Sequence, residues 1–399
     1  MKVDSILASR TKFMTASEIR ELLKWITSDV ISFGGGLPDP STFPVDEISK
    51  VVAYVLEAYP QRALQYGSTE GVAELREELA KFVDSYAGIK ARPENVFITV
   101  GSQEALELLG RVFIDQGDVI ITENPTYIAA LQAWRVYQPR LIGIPMDEHG
   151  MVVEKLEDTI RKLKAEGAKI KFIYTIPTAQ NPSGLTMSQE RRKYLLEIAE
   201  KYDLLIVEDD PYSYFLFEPI QVTPIKTLDR SGRVIYLSTA SKIFAPGFRL
   251  GWVIADKEIL DWFNLAKQSL NLHTSTFAQY VLLEGLRRNI ILKNLPRVKE
   301  LYRRKRDAML TALETYMPPG VSWTKPSGGM FIWATVPPHI DTRELLVTAI
   351  TKYKVAFVPG HGFSVDQSLT NAMRLNFTYP TFEQIEEGIR RLAMAIKSA

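Results

Sequence analysis

The sequence has no cysteine in its 399 residues, which excludes a disulfide framework and any thiolate metal site. Histidine is scarce as well. The four, at 149, 273, 339 and 361, fall at no short metal-binding spacing, so no metal is expected. An excess of one charge is also missing: lysine and arginine number 48 against 47 aspartates and glutamates, a net charge of +1. With no long basic block either, no nucleic-acid partner is expected. No run of roughly 18 or more apolar residues occurs, and the start, Met1-Lys-Val-Asp-Ser5, has no signal-peptide core. The chain therefore reads as a soluble, cytoplasmic protein without a membrane span. Internal repeats and low-complexity tracts are absent from the sequence. The length suffices for a large core and more than one domain.

Through the middle of the chain, short apolar runs rich in Val, Ile and Phe alternate with helical patterns. Candidate strands are Val96–Val100, Val119–Thr122, Ile170–Thr175, Leu204–Glu208, Val234–Leu237 and Gly251–Ala255. Candidate helices between them are Gln103–Ile114, Tyr127–Tyr137 and Ser188–Tyr202. This alternation predicts an α/β fold with a largely parallel sheet, because parallel strands need crossovers. Beyond about residue 256 the pattern changes. Helices are expected over 257–270 and 275–316, the second broken near Pro296. A strand Met330–Val336, a helix 341–353, strands 355–358 and 373–378 and a helix 381–397 follow. That is a second, smaller α+β domain. An amphipathic helix at about 16–26 and the loop Phe33–Pro40 precede both. The expected division is an N-terminal helix and substrate loop over 1–44, a large domain over 45–285 and a small domain over 286–399.

Ligands of such sheets gather at the carboxyl ends of the strands, and unusual residues collect there. Val234–Leu237 opens into Ser238-Thr-Ala-Ser-Lys242, with Arg249 seven residues on. A desolvated lysine amine is a nucleophile suited to a Schiff base with a carbonyl, and a guanidinium suits phosphate or carboxylate. Val96–Val100 runs into Gly101-Ser102-Gln103, a helix start whose free N–H groups fit a phosphate; a simple serine cap fits the same residues. Val119–Thr122 leads to Tyr127, able to lie on a planar ring or to fill core. Ile170–Thr175 leads to Asn181, in a Pro-rich stretch that also reads as an ordinary turn. Leu204–Glu208 meets Asp209-Asp210-Pro211-Tyr212. A buried carboxylate there needs a cation such as a protonated pyridine, while a surface turn is the other reading.

Taken in order, this series resembles the fold-type-I pyridoxal 5'-phosphate (PLP) enzymes, specifically the class I aminotransferases. Ile19-Arg-Glu-Leu-Leu23, Phe33-Gly-Gly-Gly-Leu-Pro38, Gln65-Tyr66-Gly-Ser-Thr-Glu-Gly71 and Ser327-Gly-Gly-Met-Phe331 resemble the branch of 2-aminoadipate and kynurenine aminotransferase II-like enzymes. The resemblance implies that Lys242 holds PLP covalently and shuttles the substrate proton. It implies that Asp209 pairs with the ring nitrogen, that Tyr212 and Asn181 meet the phenolic oxygen, and that Tyr127 stacks on the ring. Ser102, Gln103, Thr239, Ser241 and Arg249 would hold the phosphate, Thr239 standing where the family usually has serine. Arg374, with Asn181 and Gly36 beside it, would take the substrate carboxylate. Arg20 resembles an arginine that meets distal carboxylates. Tyr66 resembles one that reaches the phosphate of a neighbouring subunit, which implies a homodimer with shared active sites. The reaction implied is ping-pong amino transfer between an amino acid (2-aminoadipate, an aromatic residue or glutamate) and a 2-oxo acid such as 2-oxoglutarate. A PLP-dependent β-lyase or decarboxylase is compatible with the same residues. An effector-sensing domain of a regulator is a further alternative, against which the chain offers no room for a winged helix.

Overall fold

The computed structural model describes residues 3–14 and 28–399. Its centre is an eight-stranded mixed sheet, and the reason lies in consecutive apolar residues that serve opposite faces. After a short N-terminal strand β1 (Ile31–Ser32), the sheet strands are β2 (Val96–Thr99), β3 (Val119–Asn124), β4 (Arg140–Asp147), β5 (Gly150–Met151), β6 (Ile170–Thr175), β7 (Leu205–Asp209), β8 (Val234–Thr239) and β9 (Gly251–Ile254). Their spatial order is β2-β9-β8-β7-β6-β3-β4-β5. Strands β4, β3, β6, β7 and β8 run parallel, while β9 is antiparallel to both its neighbours and β5 to β4.

Ile120, Phe172, Val207 and Ile235 point into one apolar layer, covered by helices Gly101–Phe113, Ile128–Arg135 and Lys257–Leu270. Their successors or predecessors Ile121, Ile173, Ile206 and Val234 point into the other, covered by helices Val153–Ala165 and Gln189–Tyr202. Burial on both faces explains why these strands read as continuous apolar runs rather than alternating ones.

Four further strands, β10 (Ser322–Trp323), β11 (Phe331–Thr335), β13 (Val358–Pro359) and β14 (Ala372–Asn376), make a smaller antiparallel sheet in the order β10-β11-β14-β13. The remaining strand, β12 (Val355–Ala356), pairs in parallel with β1. That pairing ties the segment after residue 28 to the C-terminal part of the chain.

Two expectations are corrected. The long helical stretch breaks at Arg288–Asn289 rather than at Pro296, giving helices Thr276–Arg287 and Ile290–Tyr316. Asn289 takes the left-handed conformation (φ 56°) that stops one helix and starts the next. Pro296 sits inside the second helix, where the carbonyl that loses its donor belongs to exposed Leu292. Strand β4 was not expected at all, because Gly143 and Pro145 interrupt its apolar residues. It lies near the sheet edge, where only the two residues of β5 pair beyond it, so a proline is tolerated. The helix expected at 16–26 lies outside the described residues.

Candidate active site

The carboxyl ends of β3, β6, β7 and β8 and the start of helix Gly101–Phe113 surround one cavity of about 680 Å³. Its lining contains Gly36, Ser102, Gln103, Tyr127, Asn181, Asp209, Tyr212, Thr239, Ser241, Lys242, Arg249 and Arg374. Residues separated by up to 338 positions in the sequence thus meet at one place. Arg20 lies outside the described residues. Tyr66 is elsewhere on the surface, 79% exposed, with its ring edge-on to His273 at 5.7 Å.

Lys242 follows β8 in a tight turn built by its own hydroxyls. Thr239 Oγ1 donates to the Leu250 carbonyl at 3.0 Å and accepts the Ser241 N–H at 3.1 Å. The Lys242 ammonium donates to the Gly36 carbonyl at 2.8 Å. Burial, with Arg374 and Arg249 nearby, pushes this amine down from its ordinary 10.5 to about 8. A lysine so placed is a competent nucleophile near neutral pH.

Asp209 closes β7 and is 2% exposed. Tyr174, which the sequence did not single out, donates its hydroxyl to Asp209 Oδ2 at 2.7 Å, while Oδ1 is buried without a hydrogen-bond partner. Burial pushes this carboxyl up to about 7, Tyr174 opposing the shift and Asp210 adding to it. The surface-turn reading of the two aspartates fails. Asp210 is buried too, accepting the Tyr236 hydroxyl at 2.9 Å and the Ser213 N–H at 3.0 Å.

Arg374, on β14, is 1% exposed. Its Nη1 donates to Asn181 Oδ1 at 3.0 Å and its Nη2 to the Gly34 carbonyl at 2.9 Å. Its guanidinium carbon lies 4.2 Å from the ring centre of Phe331 and 5.1 Å from that of Phe363. Burial pulls this guanidinium down to about 10, against the partial compensation of Tyr212 and Tyr127. Its Nε is buried without a partner, so the guanidinium keeps an unused donor. Asn181 also donates Nδ2 to the Tyr212 hydroxyl at 3.2 Å, and so links the arginine to the aromatic wall.

On the opposite side, Gly101 begins its helix at φ +68°, and a Cβ there would stand 2.5 Å from Arg249 Nη2. Arg249 Nη1 donates to Ser241 Oγ at 3.2 Å. A helix N-terminus, an arginine and two hydroxyl residues therefore converge on one spot, a cradle for a phosphate.

An aldehyde, a ring nitrogen and a phosphate on one rigid molecule would meet these three groups in turn. The orphaned Asp209 oxygen and the glycine-lined cradle fit that demand on the residues' own chemistry. The sheet with its smaller companion is the fold of the fold-type-I PLP-dependent transferases. Comparison with known proteins agrees: residues 28–392 match the family model "Aminotransferase class I and II". The sequence is 51% identical over 385 residues, 96% of this chain and 92% of the relative, to aromatic-amino-acid aminotransferase 1 of Thermococcus litoralis. It is 38% identical over 386 residues to the 2-aminoadipate transaminase of Thermus thermophilus, covering 96% of this chain and 94% of the relative. The structure matches the Pyrococcus horikoshii kynurenine aminotransferase crystallised with PMP at a TM-score of 0.96 and 49% identity, over 100% of this chain and 98% of that one. The chain belongs to the class I and II aminotransferases. It is a PLP-dependent transaminase.

The described residues hold no cluster able to bind a metal and no helix long and apolar enough to cross a membrane.

Proposed function

We propose that this enzyme moves an amino group between amino acids with large side chains and 2-oxo acids, with aromatic amino acids and 2-aminoadipate among the donors and 2-oxoglutarate as an acceptor. The observation that carries the reading is Arg374, a buried guanidinium without a carboxylate partner among the described residues, facing the same cavity as Lys242 and Asp209. Every substrate of such a reaction brings the α-carboxylate that this arginine lacks. The side-chain range is supported by relatives that act on aromatic amino acids, kynurenine and 2-aminoadipate.

Bound PLP supplies an aldehyde and an electron-accepting ring. In this reading Lys242 Nζ is the amine that would hold it and would move the proton at the substrate Cα. Asp209 would pair with the ring nitrogen and keep it protonated. Tyr212 and Asn181 would meet the phenolic oxygen, and Tyr127 would stack on the ring. Ser102, Gln103, Thr239, Ser241 and Arg249 would hold the phosphate. Gly36 and Asn181 flank Arg374 and orient the substrate carboxylate.

The assignment of Tyr66 belongs to a homodimer. Support comes from its exposure, shared with the neighbouring Leu64 at 70%, and from its absence from the lining of its own chain's cavity. Arg20 is proposed to read distal carboxylates; Arg20→Ala would then slow 2-aminoadipate far more than phenylalanine, and equal losses would count against it.

The test is a paired assay. Wild type should form glutamate from 2-oxoglutarate in step with the donor's 2-oxo acid. Lys242→Ala should lose both that reaction and the absorbance that borohydride fixes to the protein. Release of ammonia or carbon dioxide in place of glutamate would point to lyase or decarboxylase chemistry.

A further inference from the structure

Glu123 stands in β3 one residue before its end, 1% exposed, and is not among the residues that line the cavity. A carboxylate so deeply placed must be surrounded by donors. It has three. Thr175 Oγ1 donates to Oε1 at 2.6 Å, and the Ile176 N–H and Gln180 Nε2 donate to Oε2 at 3.2 and 3.1 Å. Gln180 is itself fully buried and spends its remaining groups on two loops. Its Nε2 also donates to the Pro125 carbonyl at 2.7 Å, and its Oε1 accepts the Ser183 N–H at 2.8 Å.

The outcome is a bracket between two loops that leave neighbouring strands. One loop carries Tyr127, two residues beyond Pro125. The other carries Asn181, directly after Gln180. Asn181 is in turn the residue that receives Arg374 Nη1 and donates to the Tyr212 hydroxyl. A displacement of Gln180 is therefore passed to the arginine and the tyrosine together. A core residue that only filled space would need no such directed set of bonds.

We propose that Glu123 is a positioning residue, which through Gln180 sets Asn181 and the Arg374 fork against Tyr127. The inference rests on the functional reading above. Glu123 touches neither substrate nor cofactor in this account. Its effect reaches the reaction only through the placement of groups that do.

The experiment uses the holoenzyme with Glu123→Leu, Gln180→Leu and the double variant. The leucine approximates the size of Glu123 but offers no acceptor to the Thr175 hydroxyl, the Ile176 N–H or Gln180 Nε2. KM for the amino donor and for 2-oxoglutarate should both rise about tenfold, with kcat changed by less than about threefold, since misplacement of a binding fork is read mainly in binding. The cofactor absorption band should shift, because the Asn181–Tyr212 contact moves. The double variant should be no worse than the worse single one, as expected for two parts of one device. Should Glu123→Leu fail to fold, Gln180→Leu reads the same quantities alone. Variants that melt earlier yet keep KM and the absorption band overturn the proposal, as do fully additive effects. Wild-type turnover is measured first. Its absence overturns the functional reading and this inference with it, whereas wild-type turnover beside unmoved KM values overturns this inference alone.

Discussion

The Tyr174 hydroxyl, on β6, donates to Asp209 Oδ2, on adjacent β7, and so decides which oxygen of that carboxylate is left unpaired. The bond also favours the ionised form, working against burial, which pushes Asp209 up to about 7. In Tyr174→Phe the carboxyl should rise further and stay protonated at pH 7, each unit of rise removing up to about tenfold of the ionised form. PLP binding should weaken several-fold at pH 7 and approach wild type at pH 9, where both carboxyls are ionised. Absorbance titrations of apoprotein at the two pH values check this; equal affinities at pH 7 would leave Tyr174 no role in the charge of Asp209.

Lys242 attacks only as the free amine. With its value lowered to about 8, the fraction in that form grows about tenfold per pH unit below 8 and levels off above it. The rate of cofactor capture should therefore reach its plateau near pH 8 to 9, well below the 10.5 of an ordinary lysine. Arg374 is one cause of the lowering, so Arg374→Ala should move the plateau to higher pH. Stopped-flow mixing of apoprotein with PLP measures both curves.

Arg374→Lys keeps the charge and loses the planar fork that sits between Phe331 and Phe363. Charge-assisted bonds contribute roughly 1.5–3 kcal/mol each, so losing one should cost about 10- to 100-fold in kcat/KM. The loss should be alike for amino acid and 2-oxo acid, since both present the same group. A loss confined to one of the pair would mean that Arg374 reads a side chain.

Gly101→Ala places a methyl group where Arg249 Nη2 now lies and forces a left-handed backbone on an L-residue. Strain of about 1–2 kcal/mol should appear as a lower melting temperature. Displacement of Arg249 should appear as cofactor release about tenfold faster, followed by gel filtration and absorbance. If Arg249 swings aside without consequence, release will match wild type.

Much of this molecule was legible in the sequence because its central strands are buried on both faces, so Val234–Leu237 or Ile170–Thr175 needed no alternation to stand out. The polar residues at their ends were legible for a related reason: a lysine or aspartate there breaks an apolar run. The partners of those residues were not legible. Tyr174 and Tyr236 sit within apolar strands and look like core; only the pairing of β6 with β7 and of β7 with β8 reveals that their hydroxyls serve Asp209 and Asp210. Phe363, in the turn after β13, meets Arg374 on β14, a contact that no local pattern announces. Strand β4 was lost to Gly143 and Pro145, which edge pairing tolerates. The helix break was assigned to Pro296 when a left-handed Asn289 makes it.

The loop of Phe33–Leu37 reaches the cavity from one extremity of the chain and Arg374 from near the other, and the two touch through the Gly34 carbonyl across 340 positions of sequence. A polypeptide still emerging from the ribosome can build most of the central sheet and can even present Lys242. The contact between Arg374 and the Gly34 carbonyl can form only once residue 374 has been made.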